Sequence, residues 1–342
     1  MRSAAVTLYR LVHRHLLWCL ILAYAAGALW PQLGQWIRGA PGSGVSSGWL
    51  LKAMLAMLLV NAGLGLDVKR LRQLRERWAV LVAAVCVSVV VPGLVVLIFA
   101  GLVVAWAMPD PAGATVIGLA IVAAMPVAGS STAWSQNADG DMALTLALVF
   151  GSTLLSPLTA IVVPLATVSL LRVESFAGSP FSMSQAAALF LSLWVICPAV
   201  GGVILRSVIG PDRIERYKPL IKLANLTNLL LLNYANASLS LPAVLRDPRP
   251  MQLVVAVSGT VALALVAFPA AGFLARTCRV GAPQRASLYF GMGMKNNGAG
   301  LVLVSTTFAL PGPILLPIII YNIVQHLAAA VIDRFVLRTP RH

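Results

Sequence analysis

Two short stretches of the chain set hydrogen-bonding side chains, glycine and proline among neighbours that are almost all leucine, valine and alanine. The first reads Met125-Pro126-Val127-Ala128-Gly129-Ser130-Ser131-Thr132-Ala133-Trp134-Ser135-Gln136-Asn137, and the second Gly291-Met292-Gly293-Met294-Lys295-Asn296-Asn297-Gly298-Ala299-Gly300. Proline and glycine interrupt a helix, and the interruption leaves backbone N–H and C=O groups without helical partners. Half-helix N-termini attract anions. Ser130, Ser131, Thr132, Asn296 and Asn297 add donors and acceptors, and Lys295 adds a charge. These residue types suit the binding of a small charged solute. Glycine and serine alone would also allow helices to pack closely, but that does not account for a lysine beside two asparagines.

The elements that must hold these stretches follow from composition. Of 342 residues, 59% are hydrophobic and 10% charged, and the mean hydropathy is +0.90. Roughly a quarter of a soluble domain is charged, so this is a polytopic membrane protein with the lipid bilayer as its solvent. Apolar runs near 16–33, 49–66, 78–106, 114–136, 142–171, 184–206, 219–241, 251–275, 286–309 and 312–333 give ten candidate spans, each about 20 residues long, the length that crosses a bilayer. With the N-terminus inside, alternate loops on the inner side hold Arg2, Arg10, Arg14, Lys69, Arg70, Arg72, Arg75, Arg77, Arg206, Arg213, Arg216, Lys218, Lys222, Arg276, Arg279, Arg285, Arg334, Arg338 and Arg341. The outer side holds Arg38, Lys52, Arg172, Arg246 and Arg249. A split of 19 to 5, with Lys295 left over, follows the positive-inside rule and predicts both termini in the cytoplasm. The same loops explain a net charge of +15 without a nucleic-acid partner. A cleaved signal peptide over the first apolar run would spoil this parity.

The interrupted stretches fall in the fourth span of the first five and the fourth of the second five. That placement predicts an all-α fold of two inverted five-helix repeats, residues 1–171 and 184–333, with two broken helices that cross. Interrupted spans at matching places point to the substrate site of a transporter. Asn225, Asn228, Asn233, Asn236 and Ser240 share one face of the seventh span, which lines a cavity or bonds to other helices. Asn61, Asn322, Gln325 and His326 could contribute in the same way, with His326 read first as a neutral packing residue. Asp139 and Asp141 precede the fifth span, where they cap its start or attract a cation to the inner mouth, with the cap read first. Cys19, Cys86, Cys197 and Cys278 are scattered singly and give neither disulfide framework nor metal site.

With these residues in place, the chain resembles the bile acid:sodium symporter family over most of its length. The similarity rests on Asn61-Ala62-Gly63-Leu64-Gly65-Leu66, on Pro126 with Ser131-Thr132, Gly140-Asp141 and Ala143-Leu144, on Ser156-Pro157, and on Gly291 to Asn297. It implies a core domain with crossed broken helices, a panel domain moving against it by alternating access, and an organic anion as substrate. Bile acids, pantoate and pyruvate are substrates in that family. Sodium-coupled members bind two sodium ions at the crossover. Here the family's Ser-Asn pair is Ser131-Thr132, its Glu is Gly291 and its Gln is Lys295; Asn296 is kept, Thr145 keeps a hydroxyl, and a further hydroxyl position is Val149. A residual sodium site would use Ser131, Thr132 and Asn296.

Lysine has three donors and no acceptor, so Lys295 cannot ligate a cation. One reading makes its ammonium a tethered substitute for sodium, held by backbone carbonyls and by oxygens of Ser131, Thr132 or Asn296. A second lets Lys295 carry a proton through the cycle, and a third lets it reach a watery vestibule with no coupling role. Ordinary sodium coupling is the alternative to all three, so no cofactor is assigned. An intramembrane enzyme would need a base beside Ser131. His13, His15, His326 and His342 are not placed for it, which leaves only a Ser131–Lys295 pair. The sequence does not fix substrate identity, direction or oligomeric state.

Overall fold

Uncharged runs of leucine, valine and alanine have few alternatives to helix in an apolar medium, where every backbone polar group must be satisfied within its own segment. A computed structural model describes residues 15–39, 48–66, 78–108, 110–171, 180–307 and 312–337, and these are nearly all helical. The basic loop from Lys69 to Arg77, Arg2, Arg10, Arg14, Arg172, Arg338 and Arg341 lie outside the described residues. In chain order the helices are α1 Leu16–Leu29, α2 Gln32–Arg38, α3 Trp49–Gly65, α4 Trp78–Ala105, α5 Asp110–Ala124, α6 Ser131–Asn137 and α7 Met142–Leu171. Then come α8 Pro180–Leu191, α9 Cys197–Ile209, α10 Pro211–Arg246, α11 Pro250–Thr277, α12 Ala282–Gly293, α13 Asn297–Thr307 and α14 Gly312–Ile332. Among the described residues, five stretches are long and apolar enough to cross a membrane: α4, α7, Gln185–Ile209, α11 and Gly312–Leu337.

Local chemistry sets several boundaries. The first apolar run, read as one span, is two helices, because Trp30 precedes Pro31 and takes φ −128°, ψ 73°, off the helical region that proline denies its predecessor. Helices α8 and α9 are joined by a π-helical turn, Ser192–Ile196, just ahead of Pro198. Proline there removes a helical donor, and an extra residue in the turn accommodates the gap. Helix α10 has 36 residues and extends past the predicted 219–241 at both ends, its charged first turns continuing the helix rather than forming a loop.

The chain forms two compact units, each drawn from distant segments. Unit 1 comprises Met1–Leu66, Phe190–Arg249 and Leu301–Gly312. Within it, α3 and α9 approach backbone to backbone: a Cβ added at Gly63 would meet the Ala199 carbonyl, and one at Gly202 the Val60 carbonyl. Unit 2 comprises Asp67–Leu189, Pro250–Gly300 and Pro313–His342. It contains both interrupted stretches. In it Gly118 of α5 faces the Ile314 carbonyl and Pro317 of α14, and Gly291 and Gly293 of α12 face Leu148 and Phe268.

Candidate functional site

Helix α5 ends at Ala124 because Pro126 can neither continue it nor leave Met125 helical. The carbonyl of Ala124, which would otherwise lack a partner, accepts the Thr159 hydroxyl at 2.7 Å. Helix α12 ends without a proline: after Gly291 and Gly293, Met294 takes the extended φ −111°, ψ 124°. The two extended pieces then pair with each other. Ala128 N–H donates to the Met294 carbonyl at 3.0 Å, Asn296 N–H donates to the Pro126 carbonyl at 2.8 Å, and Val127 and Lys295 form an antiparallel bridge. The outward edges are satisfied by side chains. Val127 N–H reaches Ser152 Oγ at 2.9 Å, and Lys295 N–H reaches Gln325 Oε1 at 2.8 Å. Each chain break thus supplies the hydrogen bonds the other has lost.

Helices restart on both sides. Asn296 Oδ1 accepts Ala299 N–H at 3.2 Å and so caps α13. Asp141 Oδ1 accepts Ala143 and Leu144 N–H, both at 3.1 Å, and caps α7 as its position predicts. Beside this cap lies a cluster of hydroxyls of which sequence reading singled out only Thr145. Ser135 Oγ is 2.7 Å from Thr145 Oγ1 and 3.1 Å from Ser287 Oγ, and Ser287 donates to the Asp141 carbonyl at 2.8 Å. Trp134 stacks on Phe290 and donates its Nε1–H to His326 Nδ1 at 3.2 Å. That ring nitrogen therefore carries no proton, which is the packing role expected of His326.

Lys295 is 2% exposed, and its Nζ donates to the Ser88 carbonyl at 2.6 Å. The acceptor is a backbone carbonyl, one of the two kinds of group expected, and no oxygen of Ser131, Thr132 or Asn296 joins it. Thr132 Oγ1 is turned onto the Gly129 carbonyl at 2.7 Å, Asn296 Oδ1 is spent on its cap, and Ser131 Oγ is buried without any partner. Ser131 and Lys295 therefore form no nucleophile–base pair. Asn297 donates from Nδ2 to Asn322 Oδ1 at 3.4 Å, while its own Oδ1 is buried without a partner. No carboxylate bonds to the Lys295 ammonium among the described residues. The Ser88 carbonyl is the one acceptor its ammonium meets among the described residues.

The fit of this site to a sodium ion is poor. Ser131 Oγ and Asn297 Oδ1 are two vacant acceptors, but no carboxylate accompanies them, and the adjoining chain break already carries a buried cation. A second positive charge would be opposed by Coulomb repulsion in a low dielectric.

The other predicted residues lie elsewhere. Ser130 is half-buried in the turn before α6. Asn61, Asn233 and Asn236 belong to unit 1, where they join helices: Asn61 Nδ2 to Asn225 Oδ1 at 3.2 Å, Tyr24 OH to Asn233 Oδ1 at 2.7 Å, and Arg38 Nη1 to Asn236 Oδ1 at 3.4 Å. Burial pulls the Arg38 guanidinium down to about 10, so it stays charged at neutral pH. Asn228 Nδ2 bonds the Met54 carbonyl at 2.7 Å. Of the two roles open to this stripe, the geometry supplies interhelical bonding; the Ser240 side chain lies outside the described residues.

Two comparisons bear on this arrangement. Residues 14–338 match the model of the SBF-like CPA transporter family, which is related to the bile acid:sodium symporters. The chain is also similar to the uncharacterized protein YbaS of Bacillus subtilis (strain 168), at 27% identity over 229 residues, covering 66% of this chain and 71% of that one.

Proposed function

Because the chain belongs to the SBF-like CPA transporter family, and is therefore a membrane transporter, we propose that it moves a small organic anion by alternating access, with the Lys295 ammonium in place of a coupling cation. The observation that carries this reading is a fully buried lysine, in one of two chain breaks that pair with each other, that meets a carbonyl and, among the described residues, no carboxylate. An uncompensated charge at membrane depth costs about 3 kcal/mol or more, a penalty that an arriving carboxylate would relieve. The Ser131 hydroxyl, buried without a partner among the described residues, can donate to that carboxylate. The halves 1–171 and 184–333 act as inverted repeats in this reading, supported by one interrupted helix in the fourth apolar segment of each.

The test is counterflow in proteoliposomes with labelled pyruvate, pantoate and taurocholate, in sodium buffer and in sodium-free buffer. A carrier shows trans-stimulated uptake, and a tethered cation makes that uptake indifferent to sodium. Lys295→Met should lower it at least tenfold. Uptake that vanishes without sodium would sink the substitution.

A further inference from the structure

Helix α4 contains a proline near its middle, Pro92, whose ring nitrogen has no hydrogen. Four residues earlier stands Ser88, so the Ser88 carbonyl is denied the helical donor that residue 92 would normally supply. In this structure the carbonyl accepts Lys295 Nζ at 2.6 Å, across 207 residues of sequence. The Ser88 hydroxyl does not compete, because it donates to the Val85 carbonyl at 2.8 Å. Ser88, Pro92 and Lys295 are all buried.

A neighbouring helix handles the same defect differently. In α7, Pro157 withholds a donor from the Thr153 carbonyl, and the adjacent Ser156 hydroxyl takes that carbonyl at 2.7 Å. There the gap is repaired by the next side chain along. In α4 the repair comes from the cation on the second interrupted helix.

We propose that Pro92 is a positioning residue: by withholding its helix donor it reserves the Ser88 carbonyl as the seat of the Lys295 ammonium between binding events. The clause about binding events rests on the anion-transport reading; the seat itself does not. A backbone carbonyl suits this task because it satisfies the ammonium without neutralising it. A carboxylate substrate forms the stronger, charge-assisted bond and displaces the carbonyl, whereas a resident Asp or Glu would hold the lysine against any substrate anion.

The primary test needs no substrate. Pro92→Ala restores an N–H at position 92 that can cap the Ser88 carbonyl. Thermal unfolding of the full-length purified protein is compared for wild type, P92A, K295M and the double variant. If the seat is real, the effects are non-additive: K295M is better tolerated in the P92A background than beside Pro92, by about 3 °C or more. Additivity within about 1 °C overturns the proposal. P92G repeats the cycle with the same restored donor, so a poorly folding P92A does not leave the matter open.

The second readout separates positioning from packing. With whichever of pyruvate, pantoate or taurocholate shows counterflow, P92A should lower KM at least threefold, because the ammonium has lost its internal competitor. Packing damage would lower Vmax instead, and an unchanged or raised KM overturns the role in binding. Coupling between P92A and K295M with no counterflow of any of the three anions leaves the seat standing and removes the anion reading.

Discussion

Ser131 holds a hydroxyl that is fully buried and bonded to nothing among the described residues, while Ser135, one turn on, holds a hydroxyl shared by two partners. The two serines look alike in the sequence and should respond oppositely to the same change. Ser131→Ala removes an unsatisfied polar atom and should leave stability unchanged or raise it by about 1 kcal/mol. Ser135→Ala takes one partner from each of Thr145 and Ser287, which keep the Asp141 carbonyl, and should cost about 0.5–1.5 kcal/mol. If Ser131 is kept for a ligand, S131A also lowers uptake despite the stable fold. Undiminished uptake in S131A takes Ser131 out of the site. Part of this scale was legible in advance. Lys295 and Ser131 stood out because they lie amid apolar neighbours. The acceptor of Lys295 did not, because a backbone carbonyl carries no residue type; its only trace is Pro92 four positions after Ser88.

At the scale of elements, both interruptions were readable, one from Pro126 and the other from Gly291 and Gly293. Their mutual pairing was not, since which N–H meets which C=O depends on how the helices cross. The polar face of α10 was visible as a stripe, but periodicity does not tell which helices it bonds; the structure supplies partners on α1, α2 and α3. Nor did anything mark Thr159 as the group that closes the end of α5. That cap is testable by itself. Thr159→Val keeps the shape and removes the donor to the Ala124 carbonyl, and should cost about 1–2 kcal/mol by chemical or thermal unfolding. Thr159→Ser keeps the hydroxyl and should recover most of that loss. Equal losses in the two variants would mean that the methyl, not the hydrogen bond, matters at the break.

For the molecule as a whole, orientation in the bilayer rests on charge summed over every loop, and no single loop decides it. Helix α11 illustrates this. Its start follows Arg246 and Arg249, and its end is followed by Arg279 and Arg285 with Arg276 in its last turn, a local balance too even to choose a direction. The 19-to-5 split over the chain is not even, and it predicts Asp247 outside and Cys278 inside. The helix between them has 28 residues, about 42 Å at 1.5 Å per residue, which is enough for a hydrocarbon core of about 30 Å with length to spare. Asp247 and Cys278 are both exposed, so a thiol at either place can be reached from water. With Cys19, Cys86 and Cys197 replaced by alanine, a membrane-impermeant maleimide should leave Cys278 unlabelled in intact cells and label it after permeabilisation. Adding Asp247→Cys should restore labelling in intact cells. The reverse pattern would invert the whole chain, because one helix cannot turn over without moving the loops that carry the remaining basic residues. Labelling of both positions from the same side would mean that α11 does not cross, and the alternation that gives the count of ten would fail with it.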